Sequence, residues 1–278
     1  MIDEFGRAYT TDKFEAANYR VRDRQINYHA IKNNYVPPIK YINFFTWDKV
    51  NRVFWLPPSC WQGKKQGTTI DTPWELWLYW YQRDAVDYVR QCYDNGDRAC
   101  MIVSWTATGK SFIIVGIIYA IKHKTVIIVP NTLIAKWLQE KLSLYVNAQF
   151  CVAAKYKKLE QKPDVLIVTG ASFNNLYDEL NWTYDTIICD EGHHLSSKRK
   201  DQINQWKWDF TCMLTATPER KEYGLEWFEI YLKNIYDTEM QALPVKVLTY
   251  EYFYDYSPNE VIKAQDGLSP DSPELYRS

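Results

Sequence analysis

The chain has 278 residues, 46% of them hydrophobic, with a formal net charge of −1. That is ample material for one sizeable core plus an appendage. The near-zero charge excludes a globally basic nucleic-acid binder, so any nucleic-acid site has to be a local patch. The longest apolar run, Phe112–Ile121, is too short for a bilayer, which needs about 20 residues. Asp3, Glu4 and Arg7 stand where a secretory signal would be apolar. Cys60, Cys92, Cys100, Cys151, Cys189 and Cys212 form no CxxC pair and mostly sit in apolar runs, which reads as reduced core thiols. Cys189, His193 and His194 lack an evident fourth zinc ligand. The expectation is a soluble protein of the cytoplasm (the host's, for a viral source) with no membrane partner.

In chain order, residues 1–70 form a region of their own, an N-terminal β-rich accessory domain. Strands are predicted at Ile39–Phe45 and Arg52–Leu56, joined as a hairpin through Asp48-Lys49-Val50-Asn51. Residues 62–69, QGKKQGTT, read as an exposed linker. Twelve aromatics fall between Tyr41 and Tyr81. They read first as core, with stacking on bases as the other reading.

From Trp74 the pattern alternates. Strands are predicted at 100–104, 125–129, 149–153, 165–169, 186–190 and 210–214. Helices are predicted at 80–93, 110–122, 132–145, 171–178 and 223–233. Such alternation implies an α/β fold, a mostly parallel sheet flanked by helices. The basic stretches 155–162 and 198–200 read as solvated faces, with phosphate contact as the minority reading.

Two motifs carry chemistry. Residues 104–111 read SWTATGKS between an apolar strand-like run and a long apolar helix-like run. A helix N-terminus offers unpaired N–H groups and the positive end of its dipole to a polyanion. Gly109 allows the tight turn, Lys110 reaches the β- and γ-phosphates, and the Ser111 hydroxyl binds magnesium. Thr106, Ala107 and Thr108 complete the nucleotide-binding loop. Ser104 occupies the place of the usual first glycine. Downstream, Asp185–Cys189 runs as a strand into Asp190 and Glu191. Carboxylates at the carboxyl end of a parallel strand face the ligand crevice. One suits Mg2+ and the next suits the attacking water.

With both motifs in hand, the chain resembles the first motor domain of superfamily 2 helicases and translocases of the DExH branch. The likeness is to repair, restriction and phage-type DNA enzymes. Tyr81-Gln82-Arg83 resembles the adenine-recognition segment. Residues 126–140 (VIIVPNTLIAKWLQE), 165–173 (VLIVTGASF), 190–193 (DEGH) and 213–220 (MLTATPER) resemble the later motifs, in family order. Ala107 stands where many helicases have a second glycine. The resemblance implies a RecA-like P-loop NTPase domain over 71–255 that couples ATP hydrolysis to movement on nucleic acid. DNA is the preferred substrate, with RNA as the other candidate. It implies that Gln82 reads the adenine, that Lys110, Asp190 and Glu191 are catalytic, and that Ser111 and Asp190 hold the metal. It implies that Pro130, Thr132, Thr169, His193, Thr215 and Thr217 contact the strand or couple it to the phosphates.

Residues 242–255 resemble the strand that leads into a second motor domain, with 256–278 as a tail toward it. The family's arginine fingers lie in that second domain, and after Arg220 the chain has only Arg277. A second RecA-like domain is therefore expected in cis on a longer chain or in trans, with this chain weak or inactive alone. The competing reading is a nucleic-acid-binding or assembly module whose ATP site is a switch or a relic.

Overall fold

Continuous apolar runs from residue 99 onward become strands buried on both faces. The computed structural model describes residues 1–23, 39–62, 68–70, 76–105, 108–194, 196–207, 210–218 and 230–238. The N-terminal region contributes β1 (Tyr9–Thr10), α1 (Lys13–Ala16), β2 (Arg20–Arg22), β3 (Tyr41–Asn43), β4 (Thr46–Asp48) and β5 (Val53–Trp55). The larger part follows as α2 (Trp80–Asp94), β6 (Ala99–Val103), α3 (Lys110–Ile121), β7 (Thr125–Val129), α4 (Thr132–Leu142) and β8 (Ala148–Phe150). After these come α5 (Ala153–Tyr156), β9 (Val165–Thr169), α6 (Gly170–Leu180), β10 (Thr186–Asp190), α7 (Ser197–Asn204), β11 (Phe210–Thr215) and β12 (Asn234–Asp237).

Seven strands form one sheet in the order β12-β6-β11-β10-β7-β9-β8, and every pairing in it is parallel. The expected RecA-like α/β architecture is present. Alternation along the strands sends Met101, Val126, Leu166, Ile187 and Met213 into one core. Their neighbours Ile102, Ile127, Ile167, Ile188 and Cys212 enter the other. The second core is covered by α2, α3 and α4 through residues such as Val86, Ile117 and Leu138. The first is covered by Phe173 and Leu176 of α6 and, from the N-terminal region, by Phe44, Leu56 and Trp61. The N-terminal region is thus part of the cover of the sheet, and all described residues fall within one compact unit, Met1–Ala242.

Several expectations change in detail. The predicted strand 39–45 is not the hairpin partner of 52–56. Its middle, β3, pairs antiparallel with β2, and the hairpin is β4 with β5. The Asp48 carboxylate closes that turn by accepting from the N–H groups of Val50 (2.9 Å) and Asn51 (3.0 Å). β5 also pairs with β1, giving a three-stranded sheet. Residues 63–67 of the predicted linker lie outside the described residues, but its end is fastened. The Thr68 N–H donates to Asp185 Oδ2 at 2.8 Å, and Thr69 bridges His123. The strand β12 and the helix α7 were not predicted. Of the predicted helix 223–233 only residues 230–233 are described, and the segment 242–255 lies outside the described residues. All six cysteines are free thiols. No helix among the described residues is long and apolar enough to cross a membrane.

Candidate functional site

The carboxyl ends of β6, β7, β9, β10 and β11 lie at one edge of the sheet, because all run parallel. Most of the candidate residues meet there.

Gly109 caps α3 with φ +81°, in the left-handed region. A Cβ at this position would stand 2.6 Å from Gln82 Nε2. The conformation requires glycine, and a Cβ would also have to push aside the engaged Gln82 amide. Gln82 is buried. Its Oε1 accepts from the Tyr79 N–H at 3.1 Å and its Nε2 donates to the Thr108 carbonyl at 3.0 Å. The Tyr81 hydroxyl donates to the same carbonyl at 3.1 Å. The start of α2 therefore buttresses the loop.

Ser104, at the first-glycine place, is fully buried. Its N–H donates to the Thr215 carbonyl at 2.8 Å. Its hydroxyl meets the Thr108 hydroxyl at 2.6 Å, and Thr108 Oγ1 donates to the Trp105 carbonyl at 2.6 Å. The extra hydroxyl of serine is absorbed inside the loop. Thr106 and Ala107 lie outside the described residues. Ser111 is in the first turn of α3, one residue after Lys110.

Lys110 Nζ lies 3.6 Å from Glu191 Oε1. Glu191 has φ +51°, a conformation unusual for a non-glycine residue and concentrated at functional sites. Its Oε2 lies 3.4 Å from His193 Nδ1. The same nitrogen is 2.7 Å from Thr215 Oγ1, which in turn accepts from the Thr217 N–H at 3.0 Å. A chain of polar contacts so runs from the loop lysine through the acid turn to the end of β11. Asp190 is pushed up to about 6 by burial first and by the Glu191 carboxylate second, against the pull of Lys110. Burial likewise pushes the Cys189 thiol up to about 12, as befits a core residue.

The residues implied to meet nucleic acid sit at neighbouring strand ends. Thr132 opens α4, whose cap Asn131 accepts from the Ile134 N–H at 2.9 Å. Thr169 caps α6. Pro130 and Gly170 line a cavity of about 220 Å³ together with Asp190, Glu191, His194 and Arg199. Arg199 was missed: the basic triplet at 198–200 reads as a solvated face, and nothing in its composition reveals that its middle member turns inward.

A family model described as type III restriction enzyme, res subunit, matches residues 75–220, more than half of the chain. The chain belongs to this family. The matched res-subunit segment takes in the phosphate loop, the acid pair and Thr215–Thr217, and leaves the N-terminal sheets outside. The DNA 3′-5′ translocase XPB2 of Sulfurisphaera tokodaii is 28% identical over 174 residues, covering 60% of this chain and 39% of that protein. The chain thus spans well under half the length of that relative. Two solved structures of the UvsW helicase of bacteriophage T4 share the fold. One is 15% identical with a TM-score of 0.55, covering 80% of this chain and 91% of the other. The second is 16% identical with a TM-score of 0.58, covering 82% and 53%.

Proposed function

We propose that the chain is the ATP-hydrolysing motor domain of a DNA helicase or translocase. The observation that carries this reading is the 3.6 Å approach of Lys110 to Glu191, with Asp190 adjacent, at the N-terminus of α3. An amine for phosphate and a carboxylate for water share one place. Family membership supports ATP use, and the similarity to a DNA translocase, XPB2, favours DNA over RNA.

The triphosphate lies across the N–H groups of the loop and the first turn of α3, and Lys110 neutralises the β- and γ-phosphates. Glu191 holds and orients the attacking water in line with the leaving diphosphate. Asp190 and Ser111 supply hard oxygen donors of the kind Mg2+ takes alongside substrate phosphates. A carboxyl pushed up to about 6 beside a second carboxylate marks negative charge that a divalent cation would neutralise. Bound there, Mg2+ would screen charge on the phosphates. Among the described residues no group of three or more His, Cys, Asp or Glu is placed for a metal, and a magnesium site completed by Ser111 and phosphates needs none. Gln82 keeps the loop in shape, and for it to read the adenine edge, the role the family resemblance implies, its buried amide has to exchange its Tyr79 or Thr108 contact for the base. His193 passes the state of Glu191 to Thr215 and Thr217. Pro130, Thr132 and Thr169 face the nucleic-acid backbone.

We further propose residues 1–70 as an accessory region, 71–255 as the motor domain, and a second RecA-like domain in cis or in trans as the partner that completes the ATP site. Six free thiols favour a reducing, cytoplasmic setting.

The test is binding of a labelled ATP analogue with Mg2+, then ATP turnover with and without DNA and RNA, both on a chain that carries, or is supplied with, the second RecA-like domain. Nucleotide binding that depends on Lys110, with turnover raised by DNA, supports the motor. DNA binding with neither nucleotide binding nor turnover overturns it in favour of an assembly module.

A further inference from the structure

Arg199 has no part in the hydrolysis just described, yet it stands in the same cavity as both catalytic carboxylates. It sits in the first turn of α7, where its N–H donates to the cap Ser196 at 3.3 Å. Its guanidinium lies over Gly170. A Cβ there would stand 2.7 Å from Arg199 Cζ and 3.0 Å from Nε and Nη1. The Nε atom is buried and makes no hydrogen bond among the described residues. A buried donor without an acceptor is costly, by about 1–3 kcal/mol. Such a group in a folded chain calls for a structural explanation.

The rest of α7 is anchored away from the site. Lys200 Nζ donates to the Asn43 carbonyl. Asp201 accepts from the Thr46 hydroxyl at 2.7 Å. Asn204 Nδ2 donates to the Phe44 carbonyl at 2.9 Å and to Thr46 Oγ1 at 3.1 Å. The helix is held by the N-terminal sheets, while its first turn presents Arg199 between two strand ends. One is the β9–α6 corner at Thr169–Gly170 and the other is the acid turn at Asp190–Glu191. A flat cation packed on a glycine backbone moves when that backbone moves, and interfaces of this kind have discrete arrangements rather than continuous ones.

We propose that Arg199 is a positioning residue that couples the Thr169–Gly170 corner to the Asp190–Glu191 turn, on a helix fixed by the N-terminal sheets. This rests on the motor reading, in which the first corner faces nucleic acid and the second faces nucleotide. Allosteric coupling of this kind is typically worth about 5- to 150-fold in affinity.

The experiment is backbone hydrogen exchange on the full chain, with and without a non-hydrolysable ATP analogue and Mg2+, for the wild type, Arg199→Met, Arg199→Lys and Gly170→Ala. In the wild type the analogue should slow exchange at 191–194 and also at 170–172. In R199M and G170A protection at 191–194 should remain and protection at 170–172 should fall at least about fivefold. R199K should restore part of it. G170A leaves Arg199 present and displaces it, so it guards against a folding defect peculiar to loss of the arginine. Protection at 191–194 alone in the wild type, or equal protection of both segments in R199M and G170A, overturns the coupling and leaves the motor reading standing. No protection anywhere in the wild type overturns both.

Discussion

Lys110 Nζ stands 3.6 Å from Glu191 Oε1, joining the start of α3 to the end of β10 by a partly exposed ion pair. Such a pair is worth no more than about 1 kcal/mol. A triphosphate carries more charge and several acceptors, so on the proposed motor reading it should displace the carboxylate from the lysine and free Glu191 to hold water. Lys110→Ala should weaken ATP-analogue binding by at least about tenfold, since charge-assisted bonds to ionised groups contribute about 1.5–3 kcal/mol. Glu191→Gln should keep binding within about threefold and lose at least about 100-fold in turnover, the usual scale of a lost general base. Equal loss of binding in both variants would contradict the division of roles.

Asp190 gives a pH signature with a definite sign. Its carboxyl is raised from 3.8 to about 6 in the folded chain, by burial and by Glu191. A raised acid contributes stability that is complete below the unfolded value and is lost as pH rises through the folded value. In the metal-free chain stability should therefore decline between about pH 4 and 6 on this account. Asp190→Asn removes the penalty. At about 1.4 kcal/mol per pKa unit, the variant should gain on the order of 2–3 kcal/mol over the wild type at neutral pH and nothing near pH 4. Urea unfolding across this range, without nucleotide, checks it. A constant difference at all pH values would contradict it.

His193 and Thr215 are tied at 2.7 Å through Nδ1 and Oγ1. His193→Ala and Thr215→Val should each leave analogue affinity within about threefold. DNA-stimulated turnover should fall in each, and the double variant should be no worse than the poorer single. In a double-mutant cycle that shortfall reads as a coupling of about 0.5–3 kcal/mol. Strict additivity would mean that the contact transmits nothing.

Gly109 is constrained twice, by φ +81° and by Gln82 Nε2 at 2.6 Å from a would-be Cβ. Gly109→Ala should cost about 1–3 kcal/mol in stability or in loop order, the scale of backbone strain at a non-glycine residue. Adding Gln82→Ala removes the collision but leaves the torsion and loses the hydrogen bonds to Tyr79 and Thr108, so the pair should be no more stable than Gly109→Ala alone in thermal unfolding.

Asn204 tests whether the N-terminal region stands apart. Its side chain holds Phe44 and Thr46 from a fully buried position. Asn204→Ala should cost about 1–3 kcal/mol by leaving the Phe44 carbonyl short of a partner. Unfolding should remain a single transition, followed by both tryptophan fluorescence and circular dichroism. Two separated transitions would mark the N-terminal region as an independent unit.

The phosphate loop and the acid pair were legible in the sequence because each is a short, local pattern with its chemistry written in adjacent residues. So were the buried strands, since Val126–Val129 and Val165–Val168 are apolar at every position and suit only a sheet covered on both faces. Tertiary structure alone decided the rest. β12 is a four-residue strand whose identity comes from pairing with β6, and α7 is a polar octamer without an apolar stripe. Arg199 and Gly170 are 29 positions apart in the chain, and they meet only because β9 and β10 flank β7 in the sheet, which brings their carboxyl ends to one edge. Of the aromatics expected to form core, Phe44, Trp55 and Trp61 are buried, while Tyr41, Trp47, Trp77, Tyr79 and Trp80 are exposed, and composition did not separate the two groups. Phe44, Leu56 and Trp61 share a core with Met101 and Met213, and such contact across long separation leaves no periodic trace in the chain.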